Sequence, residues 1–438
     1  MKVLWITNTP FPEVYSELKI QASVTVGYVS SAAQSLFYQG NNIKLAVASC
    51  SFVNKFTQIN KNGITHFIIP YKIGENLNHR KNAIFWQRIK NEFQPDIIHI
   101  HGTEYSHSYA FVKACGPENV LVSIQGLVSA ITRYYFADIK LSEIIKSITL
   151  RDIVRLDTMF HHYREMSKRS ASEISLIKEI DHISGRTSWD RDHSLAINPN
   201  INYHFCNESL RQSFYERQWS INRCRRNSIF LSQAYYPIKG FHKFIKALPM
   251  VLKYFPDTKV YVAGNNFFTN RGLKINGYGK YINTLIGKLK LTGYIHFLGL
   301  LTEETMCQQY IDSHLFISSS AIENSPNSVG EAQILGVPCI ASYAGGTPDM
   351  IEHGKDGLLY RFEEIEMLAS HICKVFSDDQ LAQELSKNGR ISAGERHNRA
   401  KNGKQLYQIY SNIVGINNSL IAENTYPVSE KKTVPAIL

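Results

Sequence analysis

The chain has 438 residues, 44% of them hydrophobic and 19% charged, which is too long for one core, right for two or three domains, and incompatible with wholesale disorder. With 48 basic against 37 acidic residues the formal charge is +11, so an anionic partner is expected, either phosphorylated substrates or an acidic membrane surface. Nucleic acid is not expected, because the basic residues are spread along the chain and form no aromatic-interleaved platform or binding motif.

The seven cysteines are scattered, odd in number and without a Cys-x-x-Cys pair, which argues against a disulfide framework and a zinc site and for a reducing compartment. Residues 2–7 read as a buried strand that turns polar too soon for a signal peptide, and no later run approaches the ~20 apolar residues of a membrane span. A cytoplasmic location is expected. A helix over roughly 24–39 follows, with Gly27 at its entrance, where the backbone could approach a ligand or simply turn. A second apolar run covers 43–48. In the next strand, 95–101, His99 and His101 alternate with isoleucines and share one face. With no third ligand at readable spacing, a hydrogen-bonded histidine pair is expected rather than a metal site. The strand 120–124 ends in Gln125-Gly126. From 127 to about 180 the period is helical and the composition mixed basic and aromatic; this insertion is either solvated or rests on an anionic leaflet. A last strand and helix of the first half begin at Ile183, through Arg186-Thr187-Ser188-Trp189-Asp190.

The second half opens with a strand from Ile229 to Gln233. Apolar residues from Phe241 to Phe255 recur at helical spacing, so Lys239-Gly240 lies on a strand-to-helix loop. A phosphate there would meet both the ammonium and the helix dipole, whereas a plain surface turn is the structural alternative. Strands over 259–264 and 294–299 end in Gly264 and Gly299, where a nucleotide can approach the backbone. The stretch 316–338 reads as strand, polar loop and helix, with Glu323 in the loop and Glu331 on the helix. Ser328-Val-Gly-Glu331 also fits a capping box, which would make Glu331 purely structural. Another strand, 338–342, leads into Gly345-Gly346. Short helices follow 360, then a helix over roughly 395–414, and the polar tail from Asn417 is expected to be disordered.

The Glu-x7-Glu spacing of Glu323 and Glu331, followed by Ala332, Gly336 and Pro338 with Gly345-Gly346 beyond, resembles the donor-site signature of retaining glycosyltransferases of family 4. The resemblance covers most of the chain and is densest over 228–360. Strands and helices alternate in both halves, and the resemblance implies an α/β fold of GT-B architecture, two doubly wound parallel-sheet domains facing a cleft. It implies an acceptor-binding domain over 1–205 with the helical insertion at about 127–180, a crossing at 206–227, and a nucleotide-sugar domain over 228–394. A helix at 395–416 would return to the first domain, and 417–438 would be the disordered tail.

The same resemblance implies roles. Lys239 would grip the donor pyrophosphate, Glu331 the ribose hydroxyls, and Glu323 the transferred sugar or the positive charge near its ring. Gln233, Gly264, Gly299 and the loop residues Asn324, Ser325, Asn327 and Ser328 would complete the donor side, and Gly27, His101 and Gln125 the acceptor side, with His101 at the cleft edge. Three positions depart from the pattern: Ala234 replaces an arginine, Gln125 a histidine, and Val26 the first of two glycines. The expected partners are a nucleoside-diphosphate sugar as co-substrate and a glycan or lipid-linked acceptor, as in bacterial surface polysaccharide assembly. No cofactor is expected and, with no Asp-x-Asp near a plausible metal site, no metal. A non-catalytic binding subunit of the same fold and a GT-B nucleotide-sugar epimerase remain alternatives, whereas a dinucleotide oxidoreductase lacks its Gly-x-Gly-x-x-Gly.

Overall fold

Runs of apolar residues such as Val3-Leu4-Trp5-Ile6, each with no exposed surface, make strands that must be covered on both faces, and helices between them supply that cover. The computed structural model describes residues 1–18, 27–37, 42–71, 80–264 and 274–416. Its first sheet contains β1 (Lys2–Thr7), β2 (Lys44–Ser51), β3 (Thr57–Lys61), β4 (Ile64–Pro70), β5 (Ile97–His101), β6 (Val120–Ser123), β7 (His182–Gly185) and β8 (Asn202–Phe205). The order is β3-β4-β2-β1-β5-β6-β7-β8, parallel except for β3 against β4. The second sheet contains β9 (Arg225–Leu231), β10 (Lys259–Ala263), β11 (Ile295–Gly299), β12 (Ser313–Ser318), β13 (Cys339–Ser342) and β14 (Leu358–Tyr360). It is parallel throughout, in the order β11-β10-β9-β12-β13-β14.

In both sheets the first strand lies inside and the order reverses about it, which leaves a crevice at the carboxyl ends. Those ends face each other: the turn after β7 hydrogen-bonds to the loops after β12 and β13. The expected GT-B layout of two doubly wound sheets about a cleft is therefore what the chain forms.

Some boundaries differ from the sequence reading. The hairpin β3–β4 was not anticipated, since Thr57-Gln-Ile-Asn-Lys61 is a polar edge strand with little apolar signal. Strand β9 starts at Arg225, inside the crossing expected at 206–227, because pairing with β12 begins at Arg225 opposite Ser313. The helices after 360 are not short: they run Ile365–Ser377 and Asp379–Arg396, and the last one, Arg399–Ile413, begins after an Asn398 cap. The tail from Asn417 lies outside the described residues, as does Val26.

Helix Arg399–Ile413 packs on helix Gly27–Phe37, with Leu406, Ile409 and Tyr410 in one cluster with Val29, Ala33, Leu36 and Trp5. The Tyr410 hydroxyl accepts from Trp5 Nε1 at 2.9 Å and lies 2.6 Å from His99 Nδ1. The insertion after β6 does not stay with its own sheet. Tyr135, Ile139, Ile144 and Met159 are part of the hydrophobic core of the second sheet. His242 Nε2 lies 2.8 Å from the Ala137 carbonyl, and Lys280 Nζ donates to that of Lys146 at 2.9 Å.

Candidate active site

The turn Pro237–Lys239 after β9 ends at Gly240, whose φ of +67° is left-handed and whose added Cβ would fall 1.7 Å from the Ser319 carbonyl oxygen. Only glycine lets the two loops approach so closely. They are knitted by Ala321 N to the Ile238 carbonyl at 2.7 Å and Ser319 Oγ to the Lys239 carbonyl at 3.0 Å. The consequence is a side-chain contact: Lys239 Nζ lies 2.6 Å from Glu323 Oε1, which also accepts from Ser320 Oγ at 2.6 Å. Burial opposes the charge of Lys239, but Glu323 and the neighbouring Tyr235 and Tyr236 hydroxyls outweigh it and hold the ammonium above its ordinary range. Gly345, at φ +58°, lies against the Glu323 backbone, where a Cβ would come 1.9 Å from the carbonyl oxygen.

Helix Asn327–Leu335 starts after Pro326, and no side chain caps it, so its first N–H groups remain available to an anion. The capping box read from Ser328 and Glu331 does not form. Glu331 instead meets Arg211 Nη2 at 2.7 Å and the Tyr310 hydroxyl at 3.3 Å, because Ser328 is the second residue of the helix and not its cap. Burial pushes the Glu331 carboxyl up and Arg211 opposes it. Asn324 is buried, with Oδ1 accepting from Thr187 Oγ1 at 2.9 Å and its Nδ2 unpartnered among the described residues. Ser325 is buried and turns its hydroxyl inward to Met350 Sδ at 3.5 Å. Gln233 is exposed just past β9. Gly264 follows β10 and Gly299 ends β11, and the two pair directly, Gly264 N to the Gly299 carbonyl at 2.9 Å. Lys239, Glu323, Gln233, Gly264, Gly299, Asn324, Asn327, Ser328 and Glu331 therefore share one edge of one sheet. Ala234 is buried.

The first sheet contributes less of what was expected. Gly27 is the first residue of its helix. His101, expected at the cleft edge, is 4% exposed; it packs on Trp5 and His99 and lines a partly open pocket with Ser123, Arg186, Cys206 and Glu208. Alternation along β5 places it there, since it shares the face of His99. Burial lowers the His101 imidazole to about 3, so it is neutral at pH 7. His99 has both ring nitrogens bonded, to Tyr410 and Ser123, whereas His101 Nε2 has no partner among the described residues. Gln125 Nε2 donates to Glu208 Oε1 at 2.5 Å.

Three consecutive residues missed as site candidates join the two units. Arg186 Nη1 meets Glu208 Oε2 at 2.7 Å and Asn327 Oδ1 at 3.3 Å, Thr187 meets Asn324, and Ser188 donates from N and Oγ to Asp349. The local part of this arrangement was readable, because Thr187-x-x-Asp190 is a capping box and forms one. Its role at the cleft was not, since every partner across the cleft lies in the distant second half. Asp190 and Asp192 form an Asp-x-Asp, but Asp190 is committed to the cap and to Tyr203 at 2.5 Å.

Residues 215–392 match the family described as "Glycosyl transferases group 1". The chain is 27% identical over 175 residues to spore coat protein SA of Bacillus subtilis, covering 40% of this chain and 45% of that protein. It is 26% identical over 165 residues to the UDP-Gal:alpha-D-GlcNAc-diphosphoundecaprenol alpha-1,3-galactosyltransferase of Escherichia coli, covering 37% and 42%. The matches thus span less than half the length of these curated relatives. Among solved structures, a sucrose-phosphate synthase from Thermosynechococcus elongatus superposes with TM-score 0.71 at 14% identity, over 95% of this chain and all of that one. Anabaena HepE in complex with UDP and glucose gives 0.63 at 15% identity, over 94% of this chain and all of its own. At these identities the likeness speaks to the fold.

Proposed function

Since residues 215–392 carry a glycosyl transferases group 1 domain within a GT-B fold, we propose that the protein is a retaining glycosyltransferase that moves a sugar from a nucleoside-diphosphate donor to a glycan or lipid-linked acceptor. The observation that carries this reading is the convergence of Lys239, Glu323 and the uncapped helix start at Asn327 on one sheet edge. A sugar diphosphate needs what that edge offers: a cation, backbone donors at a helix N-terminus, and carboxylates for hydroxyls.

In the proposed reaction the bond from the anomeric carbon to the diphosphate oxygen breaks through an oxocarbenium-like state, negative charge builds on the diphosphate, an acceptor hydroxyl oxygen bonds the carbon on the same face, and its proton passes to the departing diphosphate. Lys239 turns from Glu323 to that charge, with the backbone N–H groups of Asn324, Ser325, Asn327 and Ser328 beside it. Asn324 Nδ2, buried and without a partner among the described residues, is one further donor in this loop. Glu323, released from Lys239, is then free to accept from sugar hydroxyls or to steady the ring's positive charge. We assign it no nucleophilic role. Glu331 would accept from the ribose hydroxyls while keeping Arg211, since each carboxylate oxygen can accept twice. The protein groups named here meet the leaving charge in place of a metal ion. The acceptor would approach from the first sheet, past Gln125, Glu208 and Arg186, and the HepE complex with UDP and glucose favours a nucleotide sugar as donor. Bacterial surface polysaccharide assembly at the cytoplasmic membrane face is the setting we propose, in line with the Escherichia coli relative's diphosphoundecaprenol-linked substrate.

The test is calorimetric and thermal-shift titration with UDP, GDP, ADP and CMP and their sugar conjugates, followed by transfer of labelled sugar to membrane extracts. Binding of one nucleoside diphosphate with transfer supports the reading. Binding without transfer on any acceptor favours a non-catalytic subunit, and isomerisation of the free nucleotide sugar favours an epimerase.

A further inference from the structure

The helical insertion presents an apolar surface to solvent that the fold does not use. On helix Leu141–Ser147, Leu141 and Ile145 point outward while Ile144 is buried. On helix Leu150–Arg155, Leu150, Ile153 and Val154 point outward and Asp152 inward, with Leu156 following. These six side chains are between 56 and 75% exposed. Single exposed apolar residues are ordinary, but six within sixteen residues of sequence form a surface that calls for a partner.

The charges around them are sorted. Asp152 is buried in a capping box with Thr149 and pairs with Arg151 at 3.1 Å; Asp157 pairs with Arg151 at 2.5 Å and His162 at 2.7 Å. Glu143 lies 3.9 Å from Lys146. Lys140 and Arg155 project into solvent, as does Lys146 beside Glu143. The outward face therefore combines aliphatic side chains with net positive charge. A second copy of the chain is disfavoured as the occupant, because a self-complementary contact would set one net-positive face against another.

We propose that helices Leu141–Ser147 and Leu150–Arg155 seat the protein on an anionic phospholipid leaflet, with the aliphatic side chains in the interface and the three cations among the headgroups. Among the described residues no helix is long and apolar enough to cross a membrane, so the contact is made by lying on the surface. The insertion leaves the first sheet directly after Gln125 and anchors to the second through Thr149 Oγ1 on the Ile275 carbonyl at 3.2 Å and Lys280 on Lys146. A membrane contact here would hold both sides of the cleft at the leaflet, which deepens, and in its use rests on, the lipid-linked acceptor of the proposed function.

The test is co-sedimentation of the full chain with vesicles of phosphatidylcholine alone and with added phosphatidylglycerol, at low and high salt. Binding should require the anionic lipid and weaken with salt. The joint variant Ile153→Asp, Val154→Asp should lose at least about tenfold in vesicle affinity, and Lys140→Glu, Lys146→Glu, Arg155→Glu together on the order of 10²-fold or more. Both variants change exposed side chains, so the thermal midpoint and the nucleotide-induced shift should remain at wild-type values. Vesicle binding that both variants retain overturns the proposal. So does a self-association by light scattering that the apolar variant abolishes while vesicles bind neither protein. Because nucleotide binding is read separately, a failed membrane contact leaves the donor site standing, and a failed donor site leaves the membrane contact standing.

Discussion

Lys239 and Glu323, 84 residues apart, are ion-paired at 2.6 Å with neither side chain more than 17% exposed. Each of the two groups assigned to the donor is thus the other's partner before the donor arrives. A diphosphate must compete with Glu323 for the ammonium, and in doing so it frees the carboxylate for the sugar.

Lys239→Ala should slow sugar transfer by about 10²–10³-fold, the scale for losing one preorganised group that stabilises leaving charge. It should also remove the nucleoside-diphosphate thermal shift, which for a ligand at 100 times its dissociation constant amounts to about 2.7 kcal/mol. Glu323→Gln keeps a hydrogen-bond acceptor for Lys239 but not its charge, so diphosphate affinity should rise while transfer falls. Wild-type kinetics in a folded Lys239→Ala protein would remove this lysine from the mechanism.

The buried pair of Arg211 and Glu331 sets a different expectation. Arg211→Met leaves Glu331 without its cation in a buried setting, and should cost about 3 kcal/mol in urea unfolding. Glu331→Gln retains an acceptor for Arg211 and should cost less. If Glu331 also holds ribose, Glu331→Gln weakens nucleotide binding while leaving ribose-free pyrophosphate unaffected. Equal loss for both ligands would make Glu331 structural.

Thr187 and Asn324 bridge the two units beside the donor loop. A double-mutant cycle with Thr187→Val and Asn324→Ala cancels the loss of the Thr187 helix cap and isolates the bridge, with an expected coupling of about 0.5–1.5 kcal/mol. Coupling should increase with nucleotide bound if the bridge closes the cleft over the donor. A value indistinguishable from zero in both states would mean that the bond does not form in solution.

Glu104 follows β5 at the carboxyl edge of the first sheet, accepting from Asn8 Nδ2 at 3.3 Å. Burial pushes its carboxyl up to about 7, with Glu173 adding to the rise and Arg169 opposing it. The folded chain therefore binds more protons than the unfolded one, whose value is about 4.3. The stability that Glu104 contributes is complete below that value and is lost as pH rises through about 7. Glu104→Gln should raise the melting temperature at about pH 8 and change it little at about pH 4, as read by calorimetry. An equal shift at both values would show that Glu104 does not titrate in this range.

Much of the architecture follows from local pattern. A strand buried on both faces is a continuous apolar run wherever it lies, so β1, β2, β5, β6, β9, β10, β12 and β13 could be read directly. The position of Lys239 between a strand and an amphipathic helix is likewise a property of neighbouring residues, as is the capping of Thr187 by Asp190. By itself the sequence therefore determined the two sheets, the loops at their carboxyl ends and the residue types those loops present. It could not determine which side chain meets which. Ser328 and Glu331 have the spacing of a capping box, yet the helix starts one residue before Ser328, and Arg211, brought in from the crossing between the sheets, takes the carboxylate. His101 has the setting of a cleft residue, yet the pleat of β5 and the return of helix Arg399–Ile413 enclose it. The insertion is helical in its own sequence, but the core of the second sheet takes its inner face and leaves the other to solvent. In each case the deciding contact joins residues far apart in the chain, and only the folded path brings them within reach.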